Sequence, residues 1–92
     1  MTYLERIISI AETLARWNVP HEVKESVFVC GFGITFPWCD GDVCCNDMTY
    51  GNDCDMVETY RFPWDKGDVS VMYPYEAACR IIDYYKKKNP NK

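Results

Sequence analysis

The chain has 92 residues, 48% of them hydrophobic, with a net charge of −4 and a pI near 4.8. That length allows one domain and that apolar fraction allows a core, which argues against disorder. The acidity disfavours direct binding to nucleic acid or to an anionic membrane, and no apolar run is long enough for a membrane-spanning helix. The charge is uneven. Residues 1–39 sum to −1, residues 40–68 to −6 and residues 69–92 to +3.

Thr2 followed by Glu5 is a capping-box signature. Behind it Leu4, Ile7, Ile8, Ala11, Leu14 and Ala15 recur at helical spacing, and Tyr3, Ile10 and Trp17 widen the stripe. This predicts a core helix over 2–18, with Glu12 and Arg16 as an i,i+4 pair, ending before Pro20. With no secretory signal ahead of that helix, the expected location is cytoplasmic, with reduced cysteines. His21 then falls in a polar linker, Pro20 to Ser26, as a surface residue.

Residues 27–36 alternate. Phe28, Cys30, Phe32, Ile34 and Phe36 fall on one face, read as core, while Val27, Val29, Gly31, Gly33 and Thr35 fall on the other. A return strand begins near Val43, giving a hairpin over 27–46. Residues 46–55 have turn chemistry. A second hairpin over 56–73 places Glu58, Tyr60 and Phe62 on one face. Its return strand is expected to turn Val69, Val71 and Tyr73 inward and Ser70 and Met72 outward. Pro74 opens a helix over 74–88 with the stripe Tyr75, Ala78, Ile81, Ile82 and Tyr85. Glu76–Arg80 and Asp83–Lys87 are i,i+4 pairs. Lys86, Lys87 and Lys88 complement the helix dipole, and residues 89–92 form a frayed tail.

The order α-β-β-β-β-α predicts a single α+β domain over 1–92: a four-stranded antiparallel sheet of two hairpins, with both helices on one face. The chain also repeats a phrase. Phe36-Pro37-Trp38-Cys39-Asp40-Gly41-Asp42-Val43 returns as Phe62-Pro63-Trp64-Asp65-Lys66-Gly67-Asp68-Val69, six positions of eight identical. The copies should turn the hairpins through the same loop. Phe36, Phe62, Val43 and Val69 would be core anchors. Gly41 and Gly67 would take positive φ, Asp42 and Asp68 would bond the turn backbone, and Trp38 and Trp64 would form a lid over one end of the core.

Cysteine marks the difference between the copies, since the second hairpin has none. Cys39, Cys44, Cys45 and Cys54 lie within 16 residues, which raises a zinc or iron–sulfur reading. The spacing is not one of the usual ligand patterns. Consecutive strand residues Cys44 and Cys45 also point to opposite faces, so no metal is assigned. A Cys39–Cys54 disulfide is the other alternative to free, partly buried thiols. The aspartates match no twelve-residue calcium loop. There is no phosphate-binding glycine loop, nucleophile elbow or two-histidine helix, so neither catalytic residues nor a cofactor are expected.

The expectation for function is therefore a non-enzymatic binding protein. Asp40, Asp42, Asp47, Asp53, Asp55, Glu58, Asp65 and Asp68 supply carboxylates that compete for a partner's Lys and Arg, with Trp38 and Trp64 as anchors. The partner would be a basic nucleic-acid-binding protein or nuclease. In size, acidity and lack of catalytic groups the chain resembles the small inhibitors encoded by phages and mobile elements, anti-CRISPR proteins among them, and is similar in the same way to nuclease immunity proteins. That resemblance implies a protein partner such as a CRISPR nuclease in a bacterial host cell. Two alternatives stand beside it: a thiol or zinc protein built on Cys39–Cys54, and an accessory or immunity-type subunit, able to form a homodimer, binding through its helices or a sheet edge.

Overall fold

The structure is a computed structural model and describes residues 1–90. The last two residues of the expected tail, Asn91 and Lys92, lie outside the described residues. Helix α1 runs Tyr3–Arg16 and helix α2 Pro74–Lys88. Between them lie β1 (Glu22–Glu25), β2 (Gly31–Thr35), β3 (Asp42–Asn46), β4 (Val57–Tyr60) and β5 (Val69–Met72). The strands form one antiparallel sheet in chain order. The α+β class is as the sequence predicts, but the sheet has five strands rather than four.

Local signals fix both ends of α1. Thr2 Oγ1 accepts from Glu5 N at 3.0 Å, and Glu5 Oε1 accepts from Thr2 N at 2.7 Å. These bonds hold the Glu5 carboxyl below its usual range. At the far end Asn18 takes φ 56°. Its N–H donates to Ala15 O at 3.1 Å and the Val19 N–H to Leu14 O at 3.0 Å. This is a Schellman stop, closed by the buried pair Leu14 and Val19. The apolar stripe is narrower than predicted, because Leu4, Ile8, Ala15 and Trp17 are exposed. Ile7, Ile10, Ala11 and Leu14 form its buried centre. Arg16 bonds Thr13 Oγ1 at 3.3 Å and makes no ion pair with Glu12.

The unpredicted strand is β1. Glu-Val-Lys-Glu is exposed at every position, so it carries no apolar face for periodicity to detect. It pairs Val23 with Ile34 and Glu25 with Phe32. Its charges suit an edge strand. Its presence also moves the start of β2. Residues 27–30 become the loop between β1 and β2, so Phe28 and Cys30 are exposed and not in the core. Gly31 marks the break. It has φ 152°, and a Cβ there would lie 2.4 Å from Cys45 O.

Side-chain alternation sends Ile34, Val43, Cys45, Val57 and Thr59 to the helix side, where all five are buried. Helix α1 packs on β2 and β3, α2 packs on β4, and the helices lie against each other. The two hairpins keep the same register, Ile34 opposite Val43 and Tyr60 opposite Val69. Their faces differ. The pairing of Val43 with Thr59 between β3 and β4 puts Thr59, and then Ser70 and Met72, on the helix side. The expected order in β5 is therefore inverted: Met72 is buried, whereas Val71 and Tyr73 are exposed and Val69 is only half-buried. A shift of one residue moves every side chain to the other face. Phe62 nevertheless reaches the core, because Arg61 at φ 67° breaks the alternation just before it.

The repeated phrase does not make the same turn twice. Gly67 takes φ 85°, but Gly41 has no positive φ. Gly41 is needed for space, since a Cβ would lie 2.5 Å from the Phe62 ring. In α2, Tyr75 is exposed rather than part of the stripe, and Ala77 is buried beside Ala78, Ile81, Ile82 and Tyr85. The predicted pairs Arg80–Glu76 at 2.8 Å and Lys87–Asp83 at 3.0 Å are present.

Candidate protein-binding surface

The molecule has two ends. The repeated turns, 36–41 and 61–68, close the sheet at one, here the turn end. The β1–β2 loop and residues 47–56 close it at the other, the loop end. Strand β3 separates them by roughly 16 Å at the usual rise per residue.

This geometry divides the acidic block. Asp40 and Asp68 are exposed at the turn end; Asp47, Asp53 and Asp55 are exposed at the loop end. The remaining three acids are not free surface charge. Asp65 is buried, its Oδ1 accepting from Thr59 Oγ1 at 2.9 Å and its Oδ2 from Phe62 N at 3.0 Å. Glu58 is buried on the outer face of the sheet and accepts from Tyr50 N at 2.7 Å. Asp42 is half-buried, and its Oδ1 is buried with no hydrogen-bond partner. The expected bond from Asp42 to its turn is therefore absent, while Asp68 makes its own, accepting from Val69 N at 2.8 Å.

Burial pushes the Asp42 carboxyl up, and the neighbouring Asp65 and Glu58 add to this against the pull of Arg61. A carboxyl raised in the folded state stabilises the fold below its unfolded value, and that contribution is lost as pH rises through the folded value. Asp42→Asn should therefore raise the melting temperature at pH 7, and the gain should shrink as pH falls towards the ordinary carboxylate range. A variant no more stable than wild type at pH 7 would refute this assignment.

Trp38 and Trp64 are half-buried against α2. Trp38 packs on Tyr85 at 4.9 Å and Trp64 stacks on Phe62 at 4.6 Å. Both indole N–H groups are used internally. Trp38 donates to Pro20 O at 2.9 Å and Trp64 to Thr59 Oγ1 at 2.9 Å. The position equivalent to Thr59 in the first copy is Gly33, which has no side chain to accept the bond. The two indoles lid the core at the turn end.

All six cysteines are free thiols, so the Cys39–Cys54 disulfide is not formed. Cys39 lies in the β2–β3 turn and Cys54 in the loop at the opposite end. Cys45 is buried on the helix side, and Cys44 faces the outer side. Burial, with Asp42 and Glu58 nearby, pushes the Cys44 thiol up to about 12. Among the described residues no three of His, Cys, Asp and Glu converge as metal ligands. His21 Nδ1 lies 2.8 Å from Val19 O.

The loop end carries a feature that periodicity missed. Phe28 is 97% exposed and Val27 85%, and both project from the β1–β2 loop. Met48 and Tyr50 are exposed on the loop that follows β3. The two loops are joined where Asp47 N donates to Cys30 O at 3.1 Å. Asp47, Asp53 and Asp55 are exposed on the same loop as Met48 and Tyr50. Hydrogen bonds tie the loop after β3 together. Asn46 Oδ1 accepts from Met48 N at 2.8 Å, and Asn52 Nδ2 donates to Asp47 O at 3.0 Å. Beneath it Arg6 donates to Asn52 O at 2.7 Å and to Met56 O at 2.9 Å. Asp47 Oδ1 accepts from Tyr3 Oη at 2.9 Å, and Asp55 pairs with the terminal ammonium at 2.7 Å, which holds its carboxyl below the usual range. The signal available in the sequence was Ser26, a turn former that separates a polar tetrapeptide from Val27 and Phe28.

No helix among the described residues is long and apolar enough to cross a membrane. Comparison with protein-family models, with curated proteins and with solved structures finds no match to this chain.

Proposed function

We propose that this protein is a non-enzymatic, protein-binding inhibitor whose loop end occupies a basic site on its partner. One observation carries this reading. Phe28 and Val27 stand exposed on one loop, Met48 and Tyr50 stand exposed on the loop hydrogen-bonded to it, and that second loop also carries the exposed Asp47, Asp53 and Asp55. An exposed apolar group with a polar rim has the anatomy of an interface, and aromatic anchors dominate such contacts. A preordered platform loses little entropy on binding. Asp47 and Asp53, which make no ion pair among the described residues, favour a partner surface rich in Lys and Arg, of the kind that otherwise holds nucleic acid, as in a nuclease. Asp40, Asp68 and the two indoles lie at the other end and take no part in this contact.

The test compares wild type, Phe28→Asp and the double reversal Asp47→Lys/Asp53→Lys as baits in bacterial lysate, with and without competing DNA, at low and high salt. Wild type is expected to retain a basic nucleic-acid-binding protein that DNA and salt both displace. Phe28→Asp should weaken that complex by about 2 kcal/mol, roughly 30-fold, without unfolding the protein, because the side chain touches so little of it. The double reversal should slow association and flatten its salt dependence. Retention that is indifferent to salt and to both variants would overturn the proposal.

A further inference from the structure

The turn end carries a second candidate surface, distinct from the loop end. Tyr84 divides it into two open grooves, each walled by one copy of the repeated phrase. On one side Pro63, Trp64 and Tyr84 wall a largely apolar groove of about 430 Å³. Its rim cations are already engaged, Arg80 by Glu76 at 2.8 Å and Lys87 by Asp83 at 3.0 Å. On the other side Pro37, Arg61 and Lys88 line a polar groove of about 560 Å³ that also meets Tyr84.

The second groove differs in charge. Among the described residues neither Arg61 nor Lys88 makes an ion pair. The Arg61 guanidinium lies 5.0 Å from the Tyr60 ring centre and Lys88 Nζ lies 5.6 Å from that of Tyr84. Asp40 is the one carboxylate on this lining, against the two cations Arg61 and Lys88, and Asp42 behind it also interacts with Arg61. Arg61 also stands at φ 67°, where glycine would be unstrained. An unpaired guanidinium in a groove that shares Tyr84 with an apolar groove matches an anion joined to an apolar group. Both grooves are open to solvent, which suits an extended chain better than an enclosed small molecule.

We infer that the paired grooves bind one acidic peptide segment of a partner protein. Its aromatic or aliphatic side chain lies in the Trp64 groove, and a carboxylate two residues away lies between Arg61 and Lys88. Along an extended segment, residues two apart point the same way, so one strand can fill both grooves across Tyr84.

Selection of random heptapeptides displayed on phage, against the full chain at physiological salt, tests this. Enriched peptides are then titrated against wild type, Phe28→Asp and the double variant Arg61→Gly/Lys88→Gln, following the indole N–H signals of Trp38 and Trp64 by NMR. Glycine accepts the backbone conformation at position 61, so the double variant should fold. The expected result is enrichment of Asp or Glu two residues from an aromatic or aliphatic side chain. Such peptides should shift the Trp64 signal, bind Phe28→Asp as tightly as wild type, and lose at least tenfold in affinity on the double variant. No enrichment, enrichment of neutral or basic peptides, self-association in place of peptide binding, or affinity unchanged in the double variant would overturn it.

Discussion

Replacing Arg6 with methionine should lower the unfolding free energy by about 3 kcal/mol, the largest loss expected from any single polar side chain here. Arg6 is 4% exposed although it sits on the first helix. Its guanidinium donates to Met1 O at 2.8 Å, Asn52 O at 2.7 Å, Met56 O at 2.9 Å and Cys45 Sγ at 3.2 Å. Asp55 Oδ1 lies 3.6 Å away. Methionine keeps the buried stem and removes every donor, so carbonyls on the loop after β3 lose their partner. Each unmet buried acceptor costs on the order of 1–3 kcal/mol, offset where water can enter. In a chain of this length the loss corresponds to a fall of roughly 15 °C in melting temperature. Lysine should recover only part of it, because one ammonium cannot span three separated carbonyls. Urea unfolding of the two variants measures both effects. A loss below about 1 kcal/mol for methionine would mean that the loop is held by its own turns and not from beneath.

Replacing Asp65 with alanine should cost about 2–3 kcal/mol. Asp65 is 4% exposed and anchors the β4–β5 turn through Thr59 Oγ1 and Phe62 N. Thr59 Oγ1 in turn accepts the Trp64 N–H, so the buried Thr59 and Asp65 and the half-buried Trp64 form one relay. Removing the carboxylate leaves the Phe62 N–H unpaired and frees the Thr59 hydroxyl, which should shift the Trp64 fluorescence as well as the stability. The control lies in the other copy of the phrase. Cys39 occupies the equivalent position, where Gly33 replaces Thr59 and no such relay exists. Cys39→Ala should therefore cost less than about 1 kcal/mol. Equal losses in the two variants would refute the assignment of Asp65 as the turn's anchor.

These two residues also show where the sequence was silent. The helices were legible because their signals are local: Thr2 with Glu5, Asn18 before Pro20, Pro74, and the lysines after Tyr85. The inward face of the first hairpin was legible from Ile34 and Val43, both of which are buried. Strand β1 was not, because Glu22–Glu25 is a paired edge with no apolar side, and its pairing is visible only in three dimensions. Without β1, strand alternation places Phe28 in the core, whereas the structure leaves that residue as the most exposed aromatic on the molecule. The inward face of β5 depended on how β3 pairs with β4, which no residue within β5 encodes. Arg6 looked like one more polar position on an amphipathic helix, because its acceptors lie 46 and 50 residues away. The acidic block was legible as composition, but its distribution was not. Folding sends three aspartates to one end and two to the other, and turns the rest into internal acceptors or, at Asp42, an orphan.

Both helices run from the loop end to the turn end, and this orientation has a consequence for approach in solution. Asp47, Asp53 and Asp55 gather where the helices begin, and Lys86, Lys87 and Lys88 where α2 stops. These side-chain charges are opposite in sign to the ends of the two helix macrodipoles beside them. In a field this arrangement produces torque. Within a Debye length of about 8 Å at physiological salt, a positively charged surface would favour the orientation in which the loop end leads and the lysines trail. The alignment is achieved before any atom touches, and it fades as salt shortens the range over which the torque acts.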